Sequence, residues 1–245
     1  MVSTYDYLSA KFCEEVGIDT ILVGDSLGMV FKGEENTLNV SLEEIIYHTK
    51  AVRRGAPTRF VIADMPFGSY QVSKEKAVEN AIRVIKESGA DAVKLEGGEE
   101  VLPIVEHLST IGIAVVGHLG FTPQKIKLFG SAKVVGRNSE RIRLVEEAKK
   151  LEKAGAIMLV LEATPKDVAK EVAESLKIPV IGIGAGSEVD GQVLVFHDLV
   201  GLVEDIKPKF VKRFLNGSKL FKEALKQYKE EVEKGIFPSE EHTYE

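Results

Sequence analysis

The sequence has little cysteine and no long hydrophobic run, and each absence excludes a class of protein. Its one cysteine, Cys13, cannot form an internal disulfide or a cysteine-rich metal site, which is typical of a reducing compartment. No stretch of about 18 uninterrupted apolar residues is present, so no membrane partner is expected. The opening residues, MVSTYDYLSAKF, show no basic segment followed by an apolar one, so no secretory signal is predicted. We therefore expect a cytoplasmic protein.

An excess of positive charge is also missing. The 245 residues include 32 Lys and Arg against 38 Asp and Glu, which gives a net charge of −6. Without a basic cluster, nucleic acid is not the expected main partner. Hydrophobic residues make up 44% and charged residues 29%, as in ordinary globular proteins. Because α/β barrels run to about 200–250 residues, we expect one domain over residues 1–245.

Short apolar runs rich in β-branched residues recur along the chain, and each is followed by a helical pattern. The runs alternate little between apolar and polar residues, as expected of parallel strands covered on both faces. The predicted strands are Thr20–Val23, Phe60–Ala63, Ala92–Leu95, Ala114–Gly117, Met158–Leu161 and Val180–Ile183. The predicted helices are Leu42–Arg54, Lys74–Glu87, Glu99–Ser109, Glu140–Ala154, Pro165–Leu176 and Lys219–Lys234.

This alternation is compatible with a doubly wound open sheet or a closed (β/α)8 barrel. No G-x-G-x-x-G motif follows the first clear strand, which weakens the dinucleotide-binding open sheet. The sequence therefore predicts an α/β fold of the (β/α)8 TIM-barrel type, with parallel strands and helices outside. Its ends are the least regular parts. Strand 1 is predicted at Val2–Tyr5, and strand 8 at either Val193–Phe196 or Leu199–Leu202.

Ionisable residues stand where successive predicted strands end. They are Asp25, Asp64, Lys94 with Glu96, His118 and Glu162. Barrel enzymes carry their sites at this end of the strands, and a carboxylate beside the core is costly unless something pairs with it. Each residue alone has a structural interpretation, such as a turn aspartate or a lysine stem lying along apolar surface. Their recurrence at the same end of consecutive strands favours a functional cluster.

The residue types indicate the chemistry. Asp25, Asp64 and Glu96 offer hard oxygen ligands, which suit Mg²⁺. Lys94 lies two residues before Glu96 on one strand, so both side chains point to the same side. A metal beside an ammonium suits an anionic substrate whose charge grows during reaction, such as a 2-oxo acid becoming its enolate. Glu162 stands apart from the three ligands and is a candidate base for the α-proton.

A glycine-rich run, GIGAG at 182–186, follows the predicted strand Val180–Ile183. Its backbone N–H groups could bind an anion, or its glycines could allow a tight turn at the end of the strand. The sequence does not distinguish these two interpretations.

Eight segments in order resemble the ketopantoate hydroxymethyltransferase family. They are GDSLGM at 24–29, HTKAVRRGAP at 48–57, ADMPFGSY at 63–70, KLEGGE at 94–99, GHLGFTPQ at 117–124, IPVIGIGAG at 178–186, DGQVLVFHD at 190–198 and FPSEEH at 237–242. The resemblance implies a (β/α)8 barrel. It also implies transfer of a hydroxymethyl group from 5,10-methylenetetrahydrofolate to 3-methyl-2-oxobutanoate, giving 2-dehydropantoate in pantothenate and coenzyme A biosynthesis. A related pterin could replace the folate as donor, and the sequence does not decide between them. The resemblance also implies a cytoplasmic homo-oligomer, a decamer.

Carried over by matching motif, the resemblance assigns Mg²⁺ to Asp25, Asp64 and Glu96. It implies that the oxo acid is bound by a second, overlapping set, which comprises Asp25, Ser26, Asp64, Lys94 and His118. It makes Glu162 the catalytic base. Family members carry a further segment before the TYDY motif, whereas here Met1 stands three residues before Thr4. We therefore expect either a shortened strand 1 or a start that is internal to the natural reading frame.

Two other functions remain open at this stage. A metal-dependent C–C lyase or phosphonomutase of the isocitrate lyase type would use a similar barrel, but it would need a loop cysteine as acid. Cys13 lies on a predicted helix, away from the strand ends. A non-catalytic 2-oxo acid binding protein would keep the metal and Lys94 but would have no need for a base at Glu162.

Overall fold

The computed structural model describes residues 1–204 and 208–244 of the chain. The chain divides into two compact units, Met1–Phe196 and His197–Glu245. The first unit contains the strands, and the second contains a long helix. The prediction of a single domain over residues 1–245 stays a prediction. No helix within the described ranges is long and apolar enough to cross a membrane.

The described residues of the first unit form nine parallel strands in one nearly closed barrel. The strands are β1 (Val2–Ser3), β2 (Thr20–Val23), β3 (Phe60–Asp64), β4 (Ala92–Glu96), β5 (Ala114–Gly120), β6 (Ala156–Glu162), β7 (Val180–Ile183), β8 (Gly191–Gln192) and β9 (Leu194–Val195). Their order is β8-β7-β6-β5-β4-β3-β2-β1-β9, so β1 to β8 lie in sequence order and β9 pairs with β1. The predicted TIM-barrel-like α/β fold is confirmed.

The eighth position of the barrel is shared by β8 and β9. Gly191 and Gln192 pair with β7, whereas Leu194 and Val195 pair with β1 on the other side. Between them, the Val193 N–H donates to the carbonyl oxygen of Gly182 at 3.0 Å. One strand position therefore closes the barrel by pairing first with β7 and then with β1.

Both predicted ends of the barrel need correction. The alternative Val193–Phe196 overlaps β9, but Leu199–Leu202 is not a strand. There the Leu202 N–H donates to the carbonyl oxygen of His197, as in a helical turn, because a short apolar run does not distinguish helix from strand. Strand 1 is shorter than predicted, because the chain leaves the sheet before Asp6. The Asp6 carboxylate accepts from the Leu8 and Ser9 N–H groups and begins the first helix.

The described residues form ten α-helices, which include the six whose ranges were predicted. They are α1 (Tyr7–Glu15), α2 (Leu27–Val30), α3 (Leu42–Gly55), α4 (Lys74–Ser88), α5 (Leu102–Thr110), α6 (Ile126–Phe129), α7 (Glu140–Lys153), α8 (Lys166–Ser175), α9 (Phe196–Leu199) and α10 (Gly217–Glu233). Ser41 and Glu44 form a full capping box at the start of α3. The predicted helix Glu99–Ser109 begins instead as a 3₁₀ turn, Glu99–Val101, before α5.

A layer of apolar side chains lies directly beneath the predicted site. It consists of Leu22, Ile62, Ala92, Val116 and Val160, one from each of five neighbouring strands. Burying each of the larger side chains stabilises the fold by about 1.5–3 kcal/mol. Because side chains two residues apart on a strand share a face, the next residues on this face are Gly24, Asp64, Lys94, His118 and Glu162. The apolar layer therefore supports a layer of ionisable side chains at the carboxyl ends of the strands.

Candidate active site

The strand register brings the predicted site residues side by side. Asp64 of β3 is paired with Lys94 of β4, and Glu96 of β4 is paired with His118 of β5. The last pair of the β5–β6 ladder is Gly120 with Glu162. Parallel strands end at one edge of the barrel, so the chain collects these side chains without any long-range loop.

Lys94 lies among carboxylates in the interior of the barrel. Its Nζ is 2.8 Å from Asp64 Oδ1 and 4.0 Å from Glu96 Oε1. Asp25 joins the group, because its backbone N–H donates to Asp64 Oδ2 at 2.8 Å. All four side chains belong to residues that are 4% exposed or less. The interpretation of Lys94 as a stem that carries its ammonium to solvent is therefore wrong.

His118 joins this group to Glu162. Its Nδ1 lies 3.4 Å from Glu96 Oε1, and its Nε2 lies 3.3 Å from Glu162 Oε2. Burial and the nearby Lys94 ammonium lower the pKa of His118, but the carboxylates of Glu162 and Glu96 outweigh them and raise it to about 9. Lys94 Nζ also lies 3.1 Å from His118 Nδ1, so this ring nitrogen faces both an ammonium and a carboxylate. The Glu162 side chain is 17% exposed, more than the other members of the cluster, so it lies where a substrate could reach it.

Burial and mutual repulsion act on the carboxylates. Burial, then the neighbouring Asp64 and Glu96, raise the pKa of Asp25 well above its usual range. Burial also raises the pKa of Asp64, although Lys94 opposes it. Burial lowers the pKa of Lys94, but Asp64 and Glu96 outweigh this effect, so the ammonium stays charged. Three buried carboxylates around one ammonium form a site that favours additional positive charge.

Whether this group binds a metal stays a prediction. Among residues 1–204 and 208–244, no three His, Cys, Asp or Glu side chains are arranged so that they could jointly hold a metal ion. The Lys94 ammonium lies beside Asp64 instead. The donor set nevertheless fits a hard cation. Glu96 Oε1 is a buried oxygen that accepts no hydrogen bond from the described residues, and Asp64 Oδ1, beside the Lys94 ammonium, keeps a further lone pair.

Gln124 and Tyr70 are buried polar residues that sequence reasoning missed. The Gln124 amide donates to Asp25 Oδ2 at 2.9 Å, and its backbone N–H donates to Glu96 Oε2 at 3.0 Å. The Tyr70 hydroxyl donates to Gln124 Oε1 at 2.7 Å. Both residues end motifs that the resemblance had singled out, ADMPFGSY and GHLGFTPQ. They lie on irregular segments after β3 and β5, where no strand or helix period indicates which side chains point inward.

Ser26 lies near the first strand. Its Oγ is 2.7 Å from the hydroxyl of Tyr5, a fully buried residue that sequence reasoning also missed. Burial raises the pKa of Tyr5 well above its ordinary value, so the phenol stays protonated and can share its proton with Ser26. The predicted role of Ser26 in binding the oxo acid stays a prediction.

The backbone after Glu162 is held in an unusual conformation. Ala163 has a φ of 46°, in the left-handed region that residues with a Cβ avoid. Its N–H donates to the carbonyl oxygen of Ile183, and its carbonyl oxygen accepts from the Val135 N–H. Hydrogen bonds on both sides therefore fix the point at which the chain leaves β6, and with it the direction of the Glu162 side chain.

The glycine-rich run at 182–186 makes a tight turn after β7. Gly184 and Gly186 have φ values of 65° and 83°, which only glycine adopts readily. The Gln192 amide donates to the Gly186 carbonyl oxygen at 2.8 Å. The turn interpretation is therefore supported by the backbone, and anion binding by this run stays a prediction.

A buried, charged cluster at the carboxyl ends of parallel barrel strands is the arrangement of a (β/α)8-barrel enzyme. Comparison with known proteins gives the particular family. Residues 1–240 match the family model described as ketopantoate hydroxymethyltransferase, and the chain belongs to this family. It is therefore a transferase, as predicted.

Two relatives cover the whole chain. A 3-methyl-2-oxobutanoate hydroxymethyltransferase of Aquifex aeolicus (strain VF5) is 65% identical over 245 residues, which are 100% of this chain and 92% of the relative. The enzyme of the same name from Clostridioides difficile (strain 630) is 52% identical, over 100% of this chain and 89% of the relative. The resemblance found in the sequence motifs is confirmed.

A solved structure of 2,3-dimethylmalate lyase, a member of the PEP mutase/isocitrate lyase superfamily, has a similar fold. It superposes with a TM-score of 0.61 at 16% identity, over 99% of this chain and 85% of that chain. At this identity the likeness concerns the fold alone. It confirms the barrel architecture independently of the sequence motifs.

Proposed function

We propose that this chain transfers a one-carbon unit from 5,10-methylenetetrahydrofolate, or a related pterin, to 3-methyl-2-oxobutanoate, and that the product is 2-dehydropantoate. The family and the names of its close relatives support the acceptor and the reaction type. The observation that carries the proposal is the buried Lys94, 2.8 Å from Asp64 and surrounded by further carboxylates. With a divalent cation held by these carboxylates, such a site would bind a small anion and respond to charge that develops on it.

Lys94 and His118 supply the positive charge that the oxo acid requires. Both are buried, and neighbouring carboxylates raise the pKa of each, so an anion bound beside them exchanges water for preorganised cationic groups. The Ser26 hydroxyl can add a hydrogen bond from the neighbouring strand end. Because Lys94 is held by Asp64, its ammonium needs little rearrangement when negative charge develops on the oxo oxygen.

Mg²⁺ would be held by Asp25 and Asp64, with Glu96 nearby. The buried Glu96 Oε1, which accepts no hydrogen bond from the described residues, and the buried carboxylates of Asp25 and Asp64 support this assignment. When bound, the ion supplies further positive charge that stabilises the enolate form of the oxo acid.

Glu162 is the proposed base. It ends β6, its carboxylate is partly accessible, and His118 holds its Oε2 from the side of the buried cluster. From this position it can take the proton at C3 of 3-methyl-2-oxobutanoate, and C3 then forms a bond to the methylene carbon of the donor. The bonds from that carbon to the two donor nitrogens break, tetrahydrofolate leaves, and water supplies the hydroxyl group of 2-dehydropantoate. General-base catalysis of this kind contributes about 10²–10⁴-fold to rate.

A cavity beside the cluster offers space for the second substrate, the one-carbon donor. It has a volume of about 380 Å³ and is lined in part by Phe67, Tyr70, Glu96 and Ile104. This volume lies within the range of small-molecule sites, about 300–1,000 Å³, and the lining combines apolar and polar groups.

The alternative of a lyase that uses a cysteine acid gains no support from the geometry. Cys13 is buried in α1, on the outside of the barrel rather than at the strand ends. Location in the cytoplasm and assembly as a homo-oligomer, a decamer, stay predictions from the resemblance.

A direct assay tests the proposal. Purified protein is incubated with 3-methyl-2-oxobutanoate, 5,10-methylenetetrahydrofolate and Mg²⁺, and 2-dehydropantoate is measured by mass spectrometry. We expect product, a loss of product after dialysis against EDTA, and recovery when Mg²⁺ is returned. Absence of product with all components present would contradict the proposed reaction. Equal product with and without Mg²⁺ would contradict the proposed metal.

A further inference from the structure

Gln124 has an unusual set of contacts for a buried residue. It lies in the 3₁₀ turn Pro123–Lys125 after β5 and is 4% exposed. The two hydrogens of its amide are used by Asp25 Oδ2 at 2.9 Å and by the carbonyl oxygen of Met65 at 3.0 Å. Its Oε1 accepts from the Tyr70 hydroxyl at 2.7 Å and from Gln71 Nε2 at 2.9 Å. Both donors and both lone pairs of the amide are satisfied.

These contacts determine which way the amide points. In the reverse orientation, Oε1 would face two acceptors, the Asp25 carboxylate and the Met65 carbonyl. Its Nε2 would face the Gln71 amide, which is a donor. Only the observed orientation avoids these clashes of like partners, so Gln124 presents a fixed N–H to Asp25.

Gln124 also reaches the second carboxylate through its backbone. Its N–H donates to Glu96 Oε2 at 3.0 Å, while the Tyr70 hydroxyl accepts from the Glu96 N–H at 3.1 Å. One residue on a loop after β5 thus holds one oxygen of Asp25, which follows β2, and one oxygen of Glu96, at the end of β4. Carboxylates repel each other in a buried site, so each requires such a donor to keep a single orientation.

We propose that Gln124 is a positioning residue, which orients the Asp25 and Glu96 carboxylates so that their other oxygens face a divalent cation and the oxo acid. The inference rests on the proposed function, because it assigns these carboxylates to that site. Gln124 would act on the reaction only through these carboxylates. Partners that orient metal ligands in this way contribute about 10–100-fold to metal affinity or activity.

The side chain and the backbone of Gln124 can be tested separately. Gln124→Met removes the amide but keeps the length of the side chain and the backbone N–H to Glu96. We expect Mg²⁺ affinity, measured by isothermal titration calorimetry without substrate, to fall about 10–100-fold. The KM for 3-methyl-2-oxobutanoate should rise, and circular dichroism should show an unchanged fold. The matched control is Gln227→Met on α10, an exposed glutamine whose amide donates to Glu231.

A second variant tests the positioning role of Gln124 if Gln124→Met does not fold. Tyr70→Phe keeps the ring but removes the hydroxyl that holds Gln124 Oε1. We expect it to weaken Mg²⁺ binding in the same direction. Unchanged Mg²⁺ affinity in a folded Gln124→Met variant would overturn the inference. So would an affinity loss that the Gln227→Met control shows equally, or an absence of Mg²⁺ binding in the natural chain.

The calorimetric readout separates this inference from the proposed reaction. If the natural chain binds Mg²⁺ but makes no 2-dehydropantoate, the proposed reaction is wrong, and the Mg²⁺ titration of the variants still tests Gln124. If the natural chain makes product and Gln124→Met has natural Mg²⁺ affinity, only the role of Gln124 is wrong.

Discussion

His118 Nε2 lies 3.3 Å from Glu162 Oε2, across the ends of two neighbouring strands. On its other side, Nδ1 of the same imidazole lies 3.1 Å from Lys94 Nζ and 3.4 Å from Glu96 Oε1. The proposed base is therefore held by the site that would bind the oxo acid. In the proposed reaction, proton removal and stabilisation of the resulting charge would therefore involve adjacent side chains of one cluster.

Replacement of Glu162 tests the base. Glu162→Gln keeps the shape of the side chain, but its amide cannot accept the C3 proton. We expect deuterium exchange at C3 of 3-methyl-2-oxobutanoate, measured by NMR without the folate donor, to slow by about 10²–10⁴-fold. Glu174→Gln on the exposed side of α8 is the control and should exchange normally. Natural exchange in Glu162→Gln would show that another group, with His118 the next candidate, takes the proton.

Replacement of Lys94 tests the charge that faces the oxo acid. Lys94→Met keeps the stem of the side chain and removes the ammonium. Because a charged hydrogen bond contributes about 1.5–3 kcal/mol, we expect kcat/KM for 3-methyl-2-oxobutanoate to fall about 10-fold or more. A fall in kcat as well as in affinity would place the interaction in the transition state. Lys150→Met, at an exposed position on α7, is the control; similar small effects in both variants would refute the assignment.

Replacement of Gly120 tests whether close packing between the ends of β5 and β6 fixes the position of Glu162. A Cβ on Gly120 would lie 2.1 Å from the carbonyl oxygen of Glu162, so Gly120→Ala must displace the end of β6. Gly112 has a φ of 88°, close to the 87° of Gly120, but a Cβ there would meet nothing within 4 Å. We expect Gly112→Ala to lower the free energy of unfolding by about 1–2 kcal/mol through backbone strain alone. Gly120→Ala should lower it further and reduce kcat.

The comparison needs chemical denaturation and steady-state kinetics of the two glycine variants side by side. Equal unfolding free energies, together with a natural kcat in Gly120→Ala, would show that the end of β6 gives way without disturbing Glu162.

We expect Glu147 on α7, outside the candidate active site, to make the stability of the fold depend on pH. Burial of this half-buried carboxyl, and the nearby Glu100 and Glu99, raise its pKa above the ordinary value. The folded state therefore binds the proton more tightly than the unfolded chain does. The stability that Glu147 contributes in its protonated form is lost as pH rises from the ordinary pKa through the raised one. We expect Glu147→Gln to increase the free energy of unfolding at neutral pH.

Denaturation curves at a series of pH values measure this effect. The increase in the free energy of unfolding that Glu147→Gln gives over the natural chain should be smaller below the ordinary glutamate pKa than at neutral pH. Glu146→Gln, an exposed neighbour, is the control. A gain that does not change with pH would show that titration of Glu147 does not limit stability.

The sequence predicts the ionisable residues well because each follows a recognisable strand. Asp64, Lys94, His118 and Glu162 lie two residues beyond the apolar layer on the same strand face, a relationship that the two-residue period of a strand makes visible. The parallel order of the strands then brings them together. The ligand of these side chains stays a prediction, because strand pattern places residues but does not identify what they bind.

The loops and the closing strand are where sequence reasoning fails. Gln124, Tyr70 and Tyr5 are buried through the path of irregular segments, and no periodic pattern marks them. The strand position shared by β8 and β9 contains only two residues on each side of Val193. A segment this short has no period to detect, and its pairing is decided by the distant strands β1 and β7.

The pairing of β1 with β9 joins Val2 to Leu194 and so determines when the barrel can form during synthesis. A ribosome adds about 5–20 residues per second, so roughly ten to forty seconds separate the emergence of the two partners. Over this interval the growing sheet has two unpaired edges, β1 and the latest strand to emerge, and unpaired edges associate readily with other chains. A nascent chain that stops before residue 194 lacks the β1–β9 pair, so both edges of its sheet stay open to such association until that pair is made.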